Sequence, residues 1–180
     1  MELFENPQEA KKAQADFRIK AQLQSQHCVI SGLRNGWSTN VAVGPGLHAC
    51  YIVLSSFWAL YPLPNHPSAN SGEEVGSVEQ RHRKWVEDRQ RKWIRTWRRE
   101  NALLMQSSIR TTHDARILAI HPKTFQIQYF TPYNLILPHH NKPTHLSLRR
   151  RPDTRALKFH WESCVIENMT AMDPLGDLQN

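Results

Sequence analysis

The densest concentration of chemistry in the sequence is Arg81–Arg99, RHRKWVEDRQRKWIRTWRR, where nine of nineteen residues are Lys or Arg and three are Trp. Wound as a helix at about 100° per residue with Trp93 at zero, Val86, Trp97 and Leu104 fall within about 40° of it. On the same wheel Arg81, Lys84, Arg91, Lys92, Arg95, Arg98 and Arg99 lie between about 140° and 260°, opposite that apolar seam. A face of this kind suits a polyanion. Each neutralised phosphate releases counterions, and an Arg fork places two donors on phosphate oxygens. Trp85, at about 280°, stands at the edge of the arc, where an unpaired base would find a stacking platform. An ordinary solvated helix face, an acidic protein partner and an anionic membrane surface are the competing uses of such a face. Only Asp88 interrupts the arc, with Glu87 beside it.

A second basic cluster is Arg149-Arg150-Arg151, followed by Arg155 and Lys158. It reads as an auxiliary phosphate-binding patch, as a short nuclear-import signal, or as a hairpin turn kept soluble and protected from edge pairing. Histidine and cysteine offer a third chemistry. His140 and His145, followed by His160 and Cys164, form two close pairs, an inventory sufficient for tetrahedral structural zinc, although the spacing is not that of a zinc finger. Surface imidazoles are the plainer reading, and no other cofactor is expected. His27-Cys28 and His48-x-Cys50 are thinner metal signals.

Catalytic motifs are absent from the sequence: no phosphate-binding glycine loop, no H-E-x-x-H, no G-x-S-x-G and no EF-hand loop. His113-Asp114 near Ser107 and Ser108 contains the side chains of a nucleophilic triad, but triads are assembled in space and adjacency says little. Cys50, in an apolar run, is expected to be an inert thiol, and a nucleophilic pairing of Cys164 with His160 is conceivable on a shared strand.

The elements that must position these groups follow from the charge distribution. The chain of 180 residues carries +7, yet residues 35–72 hold no Asp, Glu, Lys or Arg at all. Asn6, Pro7 and Glu9 predict a capped helix over about 7 to 25, with a thin apolar side of Ala10, Ala13, Phe17 and Ala21. Leu47–Leu63 is the most apolar stretch and predicts a buried helix or strand pair, since a bilayer span needs about 20 apolar residues. Residues 64–77 predict a loop, and Ser77 with Gln80 a capping box opening a long helix over 77–106. Arg116–Ile120 and Phe125–Tyr129 predict a hairpin, with further short strands at Leu135–Leu137, Thr144–Arg149 and Leu157–Glu162.

The expected architecture is therefore α+β. It comprises an N-terminal helix, an apolar middle element, a long basic amphipathic helix, and a C-terminal antiparallel sheet of four to five strands on which the Trp93/Trp97 seam packs. Residues 1–34 form an N-terminal helix or arm, 35–167 one domain, and 168–180 a mobile tail. Three widely spaced cysteines without C-x-x-C, and a first segment without an apolar core, predict a reducing cytoplasmic or nuclear setting and no secretion. The expected function is non-enzymatic nucleic-acid binding, to DNA or RNA, through Arg81, Lys84, Trp85, Arg91, Lys92, Arg95, Arg98 and Arg99, with Arg149, Arg150 and Arg151 as an auxiliary patch. The alternative is a small viral or regulatory accessory protein acting through Phe57, Trp58, Tyr61, Pro62 and Pro64 of the uncharged middle.

Overall fold

A computed structural model describes residues 7–33, 46–64, 77–131, 134, 137–146 and 151–170. Helix α1, Pro7–Gln24, opens with proline at its first position and Glu9 in its first turn, both favourable at a helix N-terminus. The cap expected at Asn6 lies outside the described residues. Phe17 and Ala21 are buried, whereas Ile19 and Leu23 are exposed, so the helix holds on by one narrow stripe. Phe17 stacks on Tyr51 with ring centroids 4.0 Å apart.

The apolar middle is mainly strand. Strand β1, Leu47–Tyr51, continues into buried Ile52 and Val53 and then a 3₁₀ segment, Ser55–Leu60. Its partner lies inside the stretch expected to be the end of the long helix. Helix α2 spans Val78–Thr96 only; after a 3₁₀ turn, Arg99–Asn101, the chain enters strand β2, Ala102–Gln106. The two strands are antiparallel, with Leu47 opposite Gln106 and Tyr51 opposite Ala102. Continued helix fails here because Ala102, Leu103, Leu104 and Met105 are all buried. Four successive apolar residues are covered on both faces of a strand, while a helix turns one of four outward.

Helix α3, Ser107–Asp114, follows β2 directly, and β3, Leu118–Ile120, pairs antiparallel with β4, Ile127–Tyr129. The expected hairpin is present. The C-terminal sheet is not: among the described residues the regular pairings are two separate two-stranded ladders. Backbone bonds extend each a little, Val29 N–H to Leu104 O at 2.8 Å beside β2 and Ile127 N–H to Lys142 O at 2.9 Å beside β4. Residues 137–139 are a 3₁₀ turn, and 135, 136 and 147–150 lie outside the described residues.

The expected strand at Leu157–Glu162 is instead part of helix α4, Thr154–Thr170. Asp153 caps it, its Oδ1 accepting the Arg155 N–H at 3.0 Å, and no Pro or Gly follows through Thr170. Ala156, Leu157, His160 and Cys164 are buried at helical spacing. The alternation Leu157, Phe159, Trp161 is real but short, and the cap with a breaker-free run of seventeen residues outweighs it.

The main core gathers Cys50, Ile52, Leu103, Met105, Leu118, Ile120, Ile127 and Leu157, together with Cys28, Val29 and Ile30 from the segment after α1. The Trp seam of α2 does not rest on a C-terminal sheet. Trp93 meets Trp58 of the 3₁₀ segment edge-on at 5.6 Å, and Trp97 meets Tyr51 at 5.8 Å. Thr96 is the one fully buried residue of α2. On the wheel it lies at about 300°, so the packed side is turned about 60° from the Trp seam toward Lys92.

At the other end of α2 the capping box is complete: Ser77 Oγ accepts the Gln80 N–H at 3.3 Å, and Gln80 Oε1 accepts the Ser77 N–H at 3.0 Å. Removing it by Ser77→Ala is expected to cost about 1 kcal/mol of local helix stability, read as about fivefold faster amide exchange over Gln80–Lys84 with β2 amides unchanged. Equal exchange in both proteins would show that the cap does not hold this end.

Candidate functional site

Every residue from Ser77 to Glu87 is exposed. The first turns of α2 therefore stand off the body as an arm about 16 Å long, about five base steps of duplex. Its sequence explains why no described residue covers it. Only Val78, Trp85 and Val86 are apolar, too few to build a packing stripe, so the helix is kept by its cap and by charge pairs such as Arg91 with Glu87 at 3.5 Å.

The arm is where the basic face is available. Among the described residues, Arg81, Arg83, Lys84 and Arg98 are exposed, and no ion pair holds them. Arg83, at about 80° on the wheel, falls outside the arc that the sequence defines, yet exposure all round the arm makes it an equal member. Trp85 keeps 48% of its surface exposed. The Arg89 guanidinium lies 4.9 Å from its ring and His82 stacks beside it at 5.9 Å. A base that stacks on Trp85 displaces one of these two.

Further along, the arc is used internally. Lys92 Nζ donates to Ala59 O at 2.9 Å, tying α2 to the 3₁₀ segment, and Arg95 reaches Asp153 at 3.4 Å. Arg91 is paired with Glu87 and Asp88, and Arg99 with Glu100 at 3.1 Å. Arg98 and Arg99 follow the end of α2, so their wheel positions do not apply. Seven cations on one continuous face thus become Arg81 and Lys84 on the arm, with Arg98 apart from them. Arg149 and Arg150 lie outside the described residues; Arg151 is exposed, its guanidinium 5.6 Å from the Phe125 ring.

In the uncharged middle, Tyr61 is core: it is 1% exposed and its hydroxyl donates to Asp153 at 3.2 Å. Burial, then the Asp153 charge, pushes that hydroxyl above its ordinary range, so it remains a donor. Trp58 is packed on Trp93 and lies under Arg89, at 4.7 Å, while Phe57, Leu60 and Pro64 face outward.

The four zinc candidates do not converge. His140 Nδ1 accepts the Tyr129 N–H at 3.2 Å, and His145 is exposed. His160 and Cys164 sit one turn apart on α4, but the sulfur is 3.6 Å from Nδ1 and 3.9 Å from Nε2, between the nitrogens rather than along either lone pair. Burial, then the neighbouring His113, holds the His160 imidazole well below its usual range. Burial pushes the Cys164 thiol up to about 12, which leaves it protonated and a poor nucleophile.

A different group does converge. Cys50 of β1 and His113 and Asp114 of α3 bring Sγ, Nδ1 and a carboxylate oxygen to one point, the sulfur 3.4 Å from each of the other two. His113 and His160 stack in parallel at 3.9 Å, and His160 Nε2 is 3.2 Å from His113 O. No protein-family model, curated protein or solved structure matches this chain. What the cluster can do is therefore decided by its geometry.

A nucleophilic relay needs its carboxylate on the imidazole nitrogen remote from the thiol. Here Asp114 reaches for the same sulfur as His113, and His113 Nε2 is buried without a hydrogen-bond partner. Burial, then the Asp114 charge, drives the Cys50 thiol well above its ordinary value, the opposite of activation. Burial raises Asp114, but the His113 hydrogen bond and charge, with Cys50 and Arg110, more than offset it and leave the carboxyl lowered. Ser107 and Ser108 open α3, about 8 to 9 Å of helix from His113, so they form no triad with it. The sequence separates the cluster's members by 63 residues, and His48-x-Cys50 and His113-Asp114 are each half of the signal.

Proposed function

We propose that the protein is a non-enzymatic nucleic-acid-binding protein whose contact surface is the exposed arm of α2, with Arg81, Arg83 and Lys84 on phosphates, Trp85 for stacking, and Arg98 and Arg151 as outlying contacts. The observation that carries this reading is the arm itself, eleven consecutive exposed residues holding three unpaired cations and a half-exposed Trp. Short helices without tertiary cover are marginal in water. An arm held by a capping box and charge pairs, with no described residue packed over it, leaves its cations free, and free cations on one helix favour a polyanion. Lys92 and Arg95 serve a different end: they fasten the base of the arm, so the arm projects from a fixed point rather than swinging.

Labelled 20-nucleotide single-stranded and duplex probes, titrated by anisotropy between low and moderate salt, test the proposal. Arg81/Arg83/Lys84→Gln is expected to weaken binding at least about tenfold and to lower the slope of log affinity on log salt by about 2 to 3. Trp85→Ala is expected to weaken the single strand more than the duplex. Salt-independent binding, or a triple variant indistinguishable from the parent, overturns it.

A further inference from the structure

We propose that Cys50, His113 and Asp114 form a binding site for a zinc-class divalent metal, with a thiolate sulfur, an imidazole Nδ1 and one carboxylate oxygen as ligands and a water as the fourth. The three ligand atoms form a triangle: Sγ to Nδ1 3.4 Å, Sγ to Oδ1 3.4 Å, and Nδ1 to Oδ1 3.8 Å. Tetrahedral zinc with bonds of about 2.3 Å to sulfur and about 2.0 to 2.1 Å to nitrogen and oxygen sets its ligands about 3.3 to 3.6 Å apart. The triangle is thus close to one face of that tetrahedron before any metal enters.

Cys50 Sγ donates to Asp114 Oδ1 at 3.4 Å, and His113 Nδ1 meets the same sulfur at 3.4 Å as donor or acceptor according to its tautomer, so the three atoms already share one point of contact. A divalent ion at that point would be held by all three. Binding releases the Cys50 proton to solvent, and the resulting thiolate and the Asp114 carboxylate balance the two positive charges beside a neutral imidazole.

The surroundings are those of a built site. Cys50 is 0% and His113 1% exposed, and they sit on a paired strand and a helix rather than on loops. Arg110 Nε holds the second Asp114 oxygen at 3.1 Å, leaving Oδ1 for the sulfur side. A cleft of about 10 Å³, about the least space that holds one water, is walled by His113, Asp114 and His160, on the side of the cluster away from Cys50, which does not line it. Soft and borderline ligands of this kind favour zinc over magnesium or calcium, which take oxygen. The same ion would pin α3 to β1.

Purified protein, given excess zinc and dialysed into metal-free buffer, is expected to retain about one zinc per chain, and Cys50→Ser and His113→Gln less than about a tenth of that. Cys164→Ser, one side chain beyond the cluster, is expected to retain it in full. Cobalt substitution is expected to give a thiolate-to-cobalt absorption in the parent and in C164S that C50S lacks. Because C50S disturbs a core position, zinc-edge X-ray absorption of the parent is the independent readout, with one sulfur and three lighter neighbours expected. A parent that retains no zinc, two sulfurs or none in the first shell, or loss of metal in C164S equal to that in C50S, overturns the proposal.

Discussion

Asn101→Ala is expected to lower the free energy of unfolding by about 3 to 5 kcal/mol, a large fraction of what a single domain possesses. The side chain is 0% exposed and all its polar atoms are engaged. Its Oδ1 accepts the Val53 N–H at 2.9 Å, and its Nδ2 donates to both Val53 O and Thr96 O at 2.9 Å. Its own carbonyl accepts the Ile52 N–H at 2.9 Å. One amide thereby satisfies the chain leaving β1 and the last carbonyl of α2, that of Thr96, at the point where helix gives way to strand β2. Alanine leaves one buried N–H and two carbonyls without partners, each costing about 1 to 3 kcal/mol, with partial relief where water enters. Thr96→Val, which removes only the bond from Thr96 Oγ1 to Lys92 O, is the control and is expected to cost about 1 kcal/mol. Urea unfolding followed by Trp fluorescence separates the two; a loss under about 1 kcal/mol for N101A would show that the three segments hold together without it.

That junction also shows where sequence reasoning succeeds and where it stops. Capping chemistry is local, so Pro7 with Glu9 and Ser77 with Gln80 announce two helix starts correctly. The end of α2 is not announced: no Gly or Pro lies between Ser77 and Gln106, and the stop is made by burial of Ala102–Met105 against β1, a contact across about 50 residues. At α4 the short alternation at Leu157–Trp161 reads as a strand, and the Asp153 cap with the burial of His160 and Cys164 on the side of His113 decides for helix. The metal-type cluster is of the same kind, since Cys50 meets His113 only once β1 and α3 are packed.

The basic helix divides in a way composition cannot display. A helical wheel treats all seven cations alike, whereas the described body of the protein meets α2 over its last turns. Lys92 and Arg95 are long enough to lay their stems along the packed side and place their charges on Ala59 O and Asp153. Charge that lies on one arc by sequence is thus split by depth, with anchoring groups at the base and free groups on the arm. A prediction separates the two kinds: arm substitutions change nucleic-acid affinity with stability intact, and base substitutions change stability first.

Asp153→Asn is accordingly expected to destabilise the fold by about 2 to 3 kcal/mol near neutral pH while leaving the arm's cations in place. The carboxylate side chain is 7% exposed. Its Oδ1 accepts Arg155 N–H and Nε, at 3.0 and 3.2 Å, and its Oδ2 accepts Arg155 Nη2, Tyr61 OH and Arg95 Nη1, at 3.1, 3.2 and 3.4 Å. One group thus caps α4, holds the base of α2 and receives the buried tyrosine. Both arginines are about one-third exposed, which keeps the expected loss below that of a fully buried pair. Burial works to raise the Asp153 carboxyl, but hydrogen bonds from the Arg155 side chain and backbone, its charge and the Tyr61 hydroxyl bring it below its ordinary value. With the folded carboxyl titrating lower than the unfolded one, the unfolded chain takes up the proton first as pH falls. The stabilisation is therefore complete above about pH 4 and is lost as pH drops through the folded value. Urea midpoints at pH 7, 5 and 3 are expected to show a parent-to-D153N gap that is constant between the first two and smaller at the third. A gap of equal size at pH 3 would mean that the amide disturbs the shape of the cap and that the charge contributes nothing.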